Sequence, residues 1–209
     1  NSTSVSSTNT AFTATTTADA SVGSFVVNVN QVAKAQALTT GSYANNTDLL
    51  GDTTGTTRKI TITQPGTKTP LEVTLADGDT SLAGIASAIN KANGNVTASV
   101  IKAKDGDYRL MLSSKTTGTD GEMTISVTGD DKLQNAIGYN STTKTGALTV
   151  NTGAQNAIVV VNSISIERQT NTITDALPGV TFSLKAESKA DETLEVTRAT
   201  DANQKAITD

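Results

Sequence analysis

The 209-residue chain contains no cysteine, no histidine and no tryptophan. Without Cys or His it has no thiolate nucleophile, no disulfide framework, no imidazole base for a Ser-His-Asp triad and no conventional zinc site. Aromatic residues make up only 3% of the chain. A core short of rings must be assembled from Val, Ile, Leu and Ala, and is expected to be thin and spread over extended sheet. Basic residues are few and scattered, 16 against 20 acidic ones, for a net charge of −4. That pattern lacks the basic footprint a phosphate backbone demands, so nucleic acid is excluded as a partner. No stretch approaches the roughly 20 apolar residues that cross a bilayer. The start at Asn1 carries no charged and apolar leader either. The chain therefore reads as neither a membrane protein nor an intact secretory precursor, but as a piece of a longer polypeptide.

What is abundant is threonine, at 39 positions. Thr is β-branched and suits a pleated surface with one face in water, so the composition predicts a mainly β fold. Residues 1–9 read as a flexible leader, and AFTATTTA as an edge strand. In GSFVVNVNQVA, Phe25, Val27 and Val29 alternate with Val26, Asn28 and Asn30, which predicts a strand over 23–33. KAQALTTGSYANNTDLLGDTTGTT then loses periodicity and reads as a connection. RKITITQ and PLEVTLAD form a hairpin-like pair around PGTKT. In SLAGIASAINKANGNVTASV the period changes midway. Leu82, Ile85, Ala86 and Ile89 fall at helical spacing, and Val96, Ala98 and Val100 alternate. Asp79, Thr80 or Ser81 can cap this helix, with Gly94 as the residue that ends it. The following strand turns at Asp105-Gly106, a two-residue signature of type I′ hairpins, and returns as DYRLMLSS. EMTISVTG predicts a strand and KLQNAIG a short helix.

YNSTTKTGALTVNTGAQ resembles the first connection in composition. AIVVVNSISIERQ, VTFSLKAES and ETLEVTR are read as further strands, and Pro178-Gly179 suits a type II turn. The two irregular passages bracket a block of strands and one helix, and the flanking strands must pair with each other or remain open edges. The expected fold class is mainly β, with one or two short helices, in two β-rich domains, one inserted in the other. The host is 1–42 with 154–200, the insert is 43–153, and 201–209 begins a truncated helix.

Chemistry is scarce. Asp77-Gly-Asp79 and Asp105-Gly-Asp107 place paired carboxylates in turns, too sparse for the 6–8 oxygens a calcium loop gathers, and turn chemistry alone accounts for them. Phe12, Phe25, Tyr43, Tyr108, Tyr139 and Phe182 accompany no acid as a sugar platform. Asn1, Asn45, Asn95 and Asn140 open sequons of the frequency that so much Thr produces by chance. No catalytic residue, metal ligand or cofactor site is expected.

DGDTSLAGIASAINKANGNVTASVIKAKDGDYRLMLSSKTTG resembles the flagellin hook IN motif, here with Ile89-Asn90 as its namesake pair. GSFVVNVNQVAKAQAL and AIVVVNSISIERQTNTITDALPGVTFSLK resemble two signatures of the flagellar filament cap family, the hook-associated protein 2 family. Ser163 stands where that family commonly carries Gly. The resemblance implies a non-enzymatic protein that is exported unfolded and is extracellular at the flagellum tip. There it forms a homo-oligomeric ring and helps flagellin insert. It implies that helical legs lie outside this chain, and that the β-rich domains form a plate giving spacing, subunit contacts and a lid. Some members also touch host surfaces. Two other readings fit parts of the chain, a sibling hook-associated protein and an adhesin-like or glycan-binding β-domain.

Overall fold

The computed structural model describes residues 3–5, 8–55 and 57–198. In chain order the strands begin with β1 (Thr3–Val5), β2 (Phe12–Thr16), β3 (Gly23–Gln31), β4 (Ala35–Thr39), β5 (Arg58–Thr63) and β6 (Leu71–Leu75). Helix α1 (Leu82–Lys91) leads into β7 (Val96–Lys104), β8 (Asp107–Thr117) and β9 (Thr124–Thr128). Helix α2 (Asp131–Ile137) precedes the short strands β10 (Tyr139–Asn140), β11 (Thr145–Gly146) and β12 (Thr149–Thr152). The chain closes with β13 (Ala157–Val161), β14 (Ile164–Arg168), β15 (Thr172–Leu177), β16 (Val180–Leu184) and β17 (Glu192–Arg198). The fold is mainly β, as composition predicts.

The chain divides into two compact units, one within Asn1–Ala33 and Asn156–Asp209, the other Lys34–Gln155. The first is a sandwich. One sheet runs β1-β17-β3-β13-β14 and the other β15-β16-β2, all antiparallel. Alternation sends Val27 and Val29 of β3, Val159 and Val161 of β13, and Leu194 and Val196 of β17 inward. They meet Phe12, Ile173, Val180, Phe182 and Leu184 from the smaller sheet in one core. The rings of Phe12 and Phe182 lie 5.8 Å apart at a tilt, a favourable edge-on geometry.

The second unit has a sheet of order β11-β10-β9-β5-β6 and another of order β12-β4-β8-β7. Both contribute to a single core, closed by Leu82, Ile85, Ala86 and Ile89 of α1 and by Leu133 and Ile137 of α2. Ser81 caps α1, its hydroxyl accepting from the Gly84 N–H at 3.0 Å. The residue that turns the chain out of α1 is Asn93, at φ 51°, and not Gly94. A side chain at Gly94 would meet Leu71 Cδ1 at 2.7 Å, so glycine there answers to packing.

Several segments read as connection or leader are strands. Ala35–Thr39 pairs on one side with β8 and on the other with β12. The units therefore divide at 33/34 and 155/156, and not at 42/43 and 153/154. Thr3–Val5, read as leader, pairs with β17. AIVVVNSISIERQ is two strands joined at Asn162-Ser163, whose φ values of 46° and 66° make the type I′ turn that follows right-handed strand twist. Partners distant in sequence complete these ladders, and local periodicity does not carry that information. The helix expected at 201–209 lies outside the described residues.

Candidate functional site

The Asp pairs weighed as calcium loops are held by turns and ion pairs. Asp77 opens a short 3-10 turn and accepts from the Gly55 N–H and from Arg58 at 2.8 Å. Asp105 and Asp107 flank the β7–β8 turn, where they pair with Lys102 at 2.6 Å and Arg109 at 3.0 Å. The Arg109 side chain holds the Asp107 carboxyl below the ordinary carboxylate range. Among the described residues no group of three or more His, Cys, Asp or Glu is placed to hold a metal. No described helix is long and apolar enough to cross a membrane. All six aromatics are buried or half-buried, so none forms an exposed stacking platform. Tyr43 and Tyr108 instead exchange main-chain hydrogen bonds.

The namesake pair of the IN segment divides its work. Ile89 is buried on the sheet. Asn90 grips β7 from outside, its amide donating to the Ala98 carbonyl at 2.7 Å and its oxygen accepting from the Ala98 N–H at 2.8 Å. β7 is an edge strand, and an edge with free backbone groups invites pairing with another chain. Asn90 fills one of its main-chain slots, and helical periodicity gave no sign of this because the residue lies off the apolar face.

Sequence reading also missed a buried cation. Arg58 and the Asp130 carboxylate are fully buried and bonded at 2.8 Å. Arg58 also donates to the Asp52 carbonyl and to Asp77, tying three loops together. Burial opposes ionisation of Asp130. N–H donors from Leu133 and Asp52, together with Arg58, outweigh it and keep the carboxyl below its ordinary pKa. In the first unit Glu192 is similarly placed, its burial offset by bonds from the Thr10 N–H and hydroxyl and the Ala11 N–H.

Two exposed features are left. The outer half of the β7–β8 hairpin projects beyond the covered sheet, with residues 101–106 all exposed. In the first unit an apolar groove of about 260 Å³ runs between the edge strands β14 and β15.

Comparison with known proteins gives two family-model matches, "Flagellin hook IN motif" over residues 59–116 and "Flagellar hook-associated protein 2 C-terminus" over 154–209. The chain is 45% identical over 192 residues to flagellar hook-associated protein 2 of Xenorhabdus nematophila, a match spanning 88% of this chain and 39% of that protein. It superposes on the D2-D3 domains of the flagellar cap protein FliD from Escherichia coli with a TM-score of 0.88 and 38% identity. That match covers 94% of this chain and all of the other. Against the D1-D2-D3 domains of the Escherichia coli protein the TM-score is 0.89 at 39% identity, over 99% of this chain and 60% of that one.

Proposed function

Since the chain belongs to the flagellar hook-associated protein 2 family, we propose that it is the plate portion of a filament cap. In this reading the two β-rich units make a subunit of a homo-oligomeric ring at the flagellum tip, outside the cell, and the ring promotes insertion of flagellin. The plate supplies spacing and subunit contacts, and catalysis has no part in its work. The chain spans about two-fifths of the Xenorhabdus relative it matches. The segments that handle flagellin directly are assigned to the remainder.

The observation that carries the reading is the superposition along the whole of the Escherichia coli D2-D3 structure. The arrangement supports it: the Asp pairs are taken up by turns and ion pairs, and the helix of the IN segment works as packing. A glycan-binding role is not favoured, because every aromatic residue is buried or half-buried and none forms an exposed stacking platform. The test is a strain lacking the gene, with the full gene product supplied in trans and immunogold-labelled on this chain. Label confined to filament ends, with filament growth restored, is expected. Label along filament sides, or normal growth without the protein, would reject the cap reading.

A further inference from the structure

The arm carries a net positive charge, and the groove lies in the unit that holds the chain's negative excess. At the arm's end Asp105-Gly106 makes a tight turn, with Gly106 at φ 75°. The ion pair of Lys102 with Asp105 and the approach of its ammonium to 5.8 Å from the Tyr108 ring centroid stiffen it. On β7, opposite Arg109, Ile101 is 41% exposed. The groove in the first unit is lined by Phe25, Val161, Ile164, Ile166 and Leu177, together with the ion-paired Arg168 and Asp175. Ile164 is 67% exposed, an open apolar surface on an edge strand. Volume of about 260 Å³ accommodates an aliphatic side chain and part of its strand.

Charge separates the two features. Of the ionisable side chains in the first unit, nine are acidic and five basic, whereas the second has eleven of each. The arm itself carries Lys102, Lys104 and Arg109 against Asp105 and Asp107, a net positive protrusion on a chain whose negative excess lies wholly in the other unit. A knob and a hole on different patches of one chain join copies head to tail, and such contacts close into rings when the rotation permits.

We propose that the β7–β8 arm of one copy seats Ile101 in the β14/β15 groove of a second copy, joining the chains head to tail. This names the contact within the self-association proposed above and rests on that reading. The chain has no cysteine, so Ile101→Cys and Ile164→Cys introduce the only thiols of this region. In the full gene product, oxidation of a mixture of the two single variants should give covalent dimers, and the double variant a ladder of multimers. Either single variant alone should give neither. Lys104→Glu, which leaves the Lys102 contacts in place, should weaken association by about tenfold, as loss of a steering charge does, with an unchanged melting temperature. Assembly of the gene product with no crosslink and no response to the charge reversal would overturn the arm-and-groove contact while leaving the cap reading intact. A disulfide closed within one chain, or a crosslink only to flagellin, would overturn it equally. A gene product that stays monomeric at high concentration would remove the ring reading and the contact together.

Discussion

At Ser163 a β-branch-free but chiral residue holds φ 66°, next to Asn162 at 46°. A left-handed conformation costs an L-residue about 1–2 kcal/mol, while glycine raises the entropy of the unfolded chain by the equivalent of about 0.4–1 kcal/mol. Strain relief is the larger effect, so Ser163→Gly should stabilise the first unit by up to about 1 kcal/mol in urea denaturation. Ser163→Ala should bring no such gain, and equal effects would mean that the turn is not strained. Asn90 makes a sharper case. Its two hydrogen bonds to Ala98 are worth about 0.5–1.5 kcal/mol each, and alanine returns about 0.6 kcal/mol of helix propensity. Asn90→Ala should therefore cost about 0.5–2.5 kcal/mol. Asn90→Asp should cost more, because a carboxylate cannot donate to the Ala98 carbonyl and is disfavoured near a helix C-terminus. A smaller loss for Asp than for Ala would show that the amide does not grip the edge strand.

Among the elements, α1 was legible because its apolar face repeats at helical spacing and its cap precedes it directly. Ile89 is fully buried and Lys91 exposed. Ile89→Ala should cost about 2–5 kcal/mol, and Lys91→Ala less than about 0.5 kcal/mol. Strands such as β5, β6 and β9 were legible for the same reason, since alternation is written in the local sequence. β4, β10, β11 and β12 were not, because each is only two to five residues long and becomes a strand only where a neighbouring ladder receives it. The Arg58–Asp130 pair was illegible as well: nothing local to RKITIT or DDKLQ indicates that the two side chains meet in the interior. Its energetic signature is testable by pH. The Asp130 carboxyl lies below its ordinary value in the fold, so its contribution is present above the unfolded pKa of about 3.9 and is lost as pH falls through the folded value. Stability measured by urea titration should fall below about pH 4, and Asp130→Asn should flatten that fall. Arg58→Met at neutral pH leaves Asp130 buried without its cation and should cost about 3–5 kcal/mol. A small effect would mean that water enters the site readily.

For the whole molecule, one contiguous stretch of sequence interrupts another unit, and its ends are tied together. Lys34 and Gln155 exchange main-chain hydrogen bonds, at 2.9 Å from the Lys34 N–H and 3.2 Å from the Gln155 N–H. Next to them, within the first unit, the Gln31 amide donates to the Asn156 carbonyl at 2.7 Å. Ends this close make a long insertion tolerable, because loop closure costs only about 0.6 kcal/mol for each doubling of length. Each unit also has a core of its own, and the larger has both helices to close its sheets. Residues 34–155 expressed alone should therefore fold, giving dispersed amide NMR signals and a cooperative melt. The host with a short Gly-Ser linker replacing 34–155 should keep a β-type circular dichroism spectrum at a lower melting temperature, since a small domain buries a smaller fraction of its surface. A disordered 34–155 segment, beside an intact chain that melts in one transition, would mean that the inserted unit depends on its host for folding.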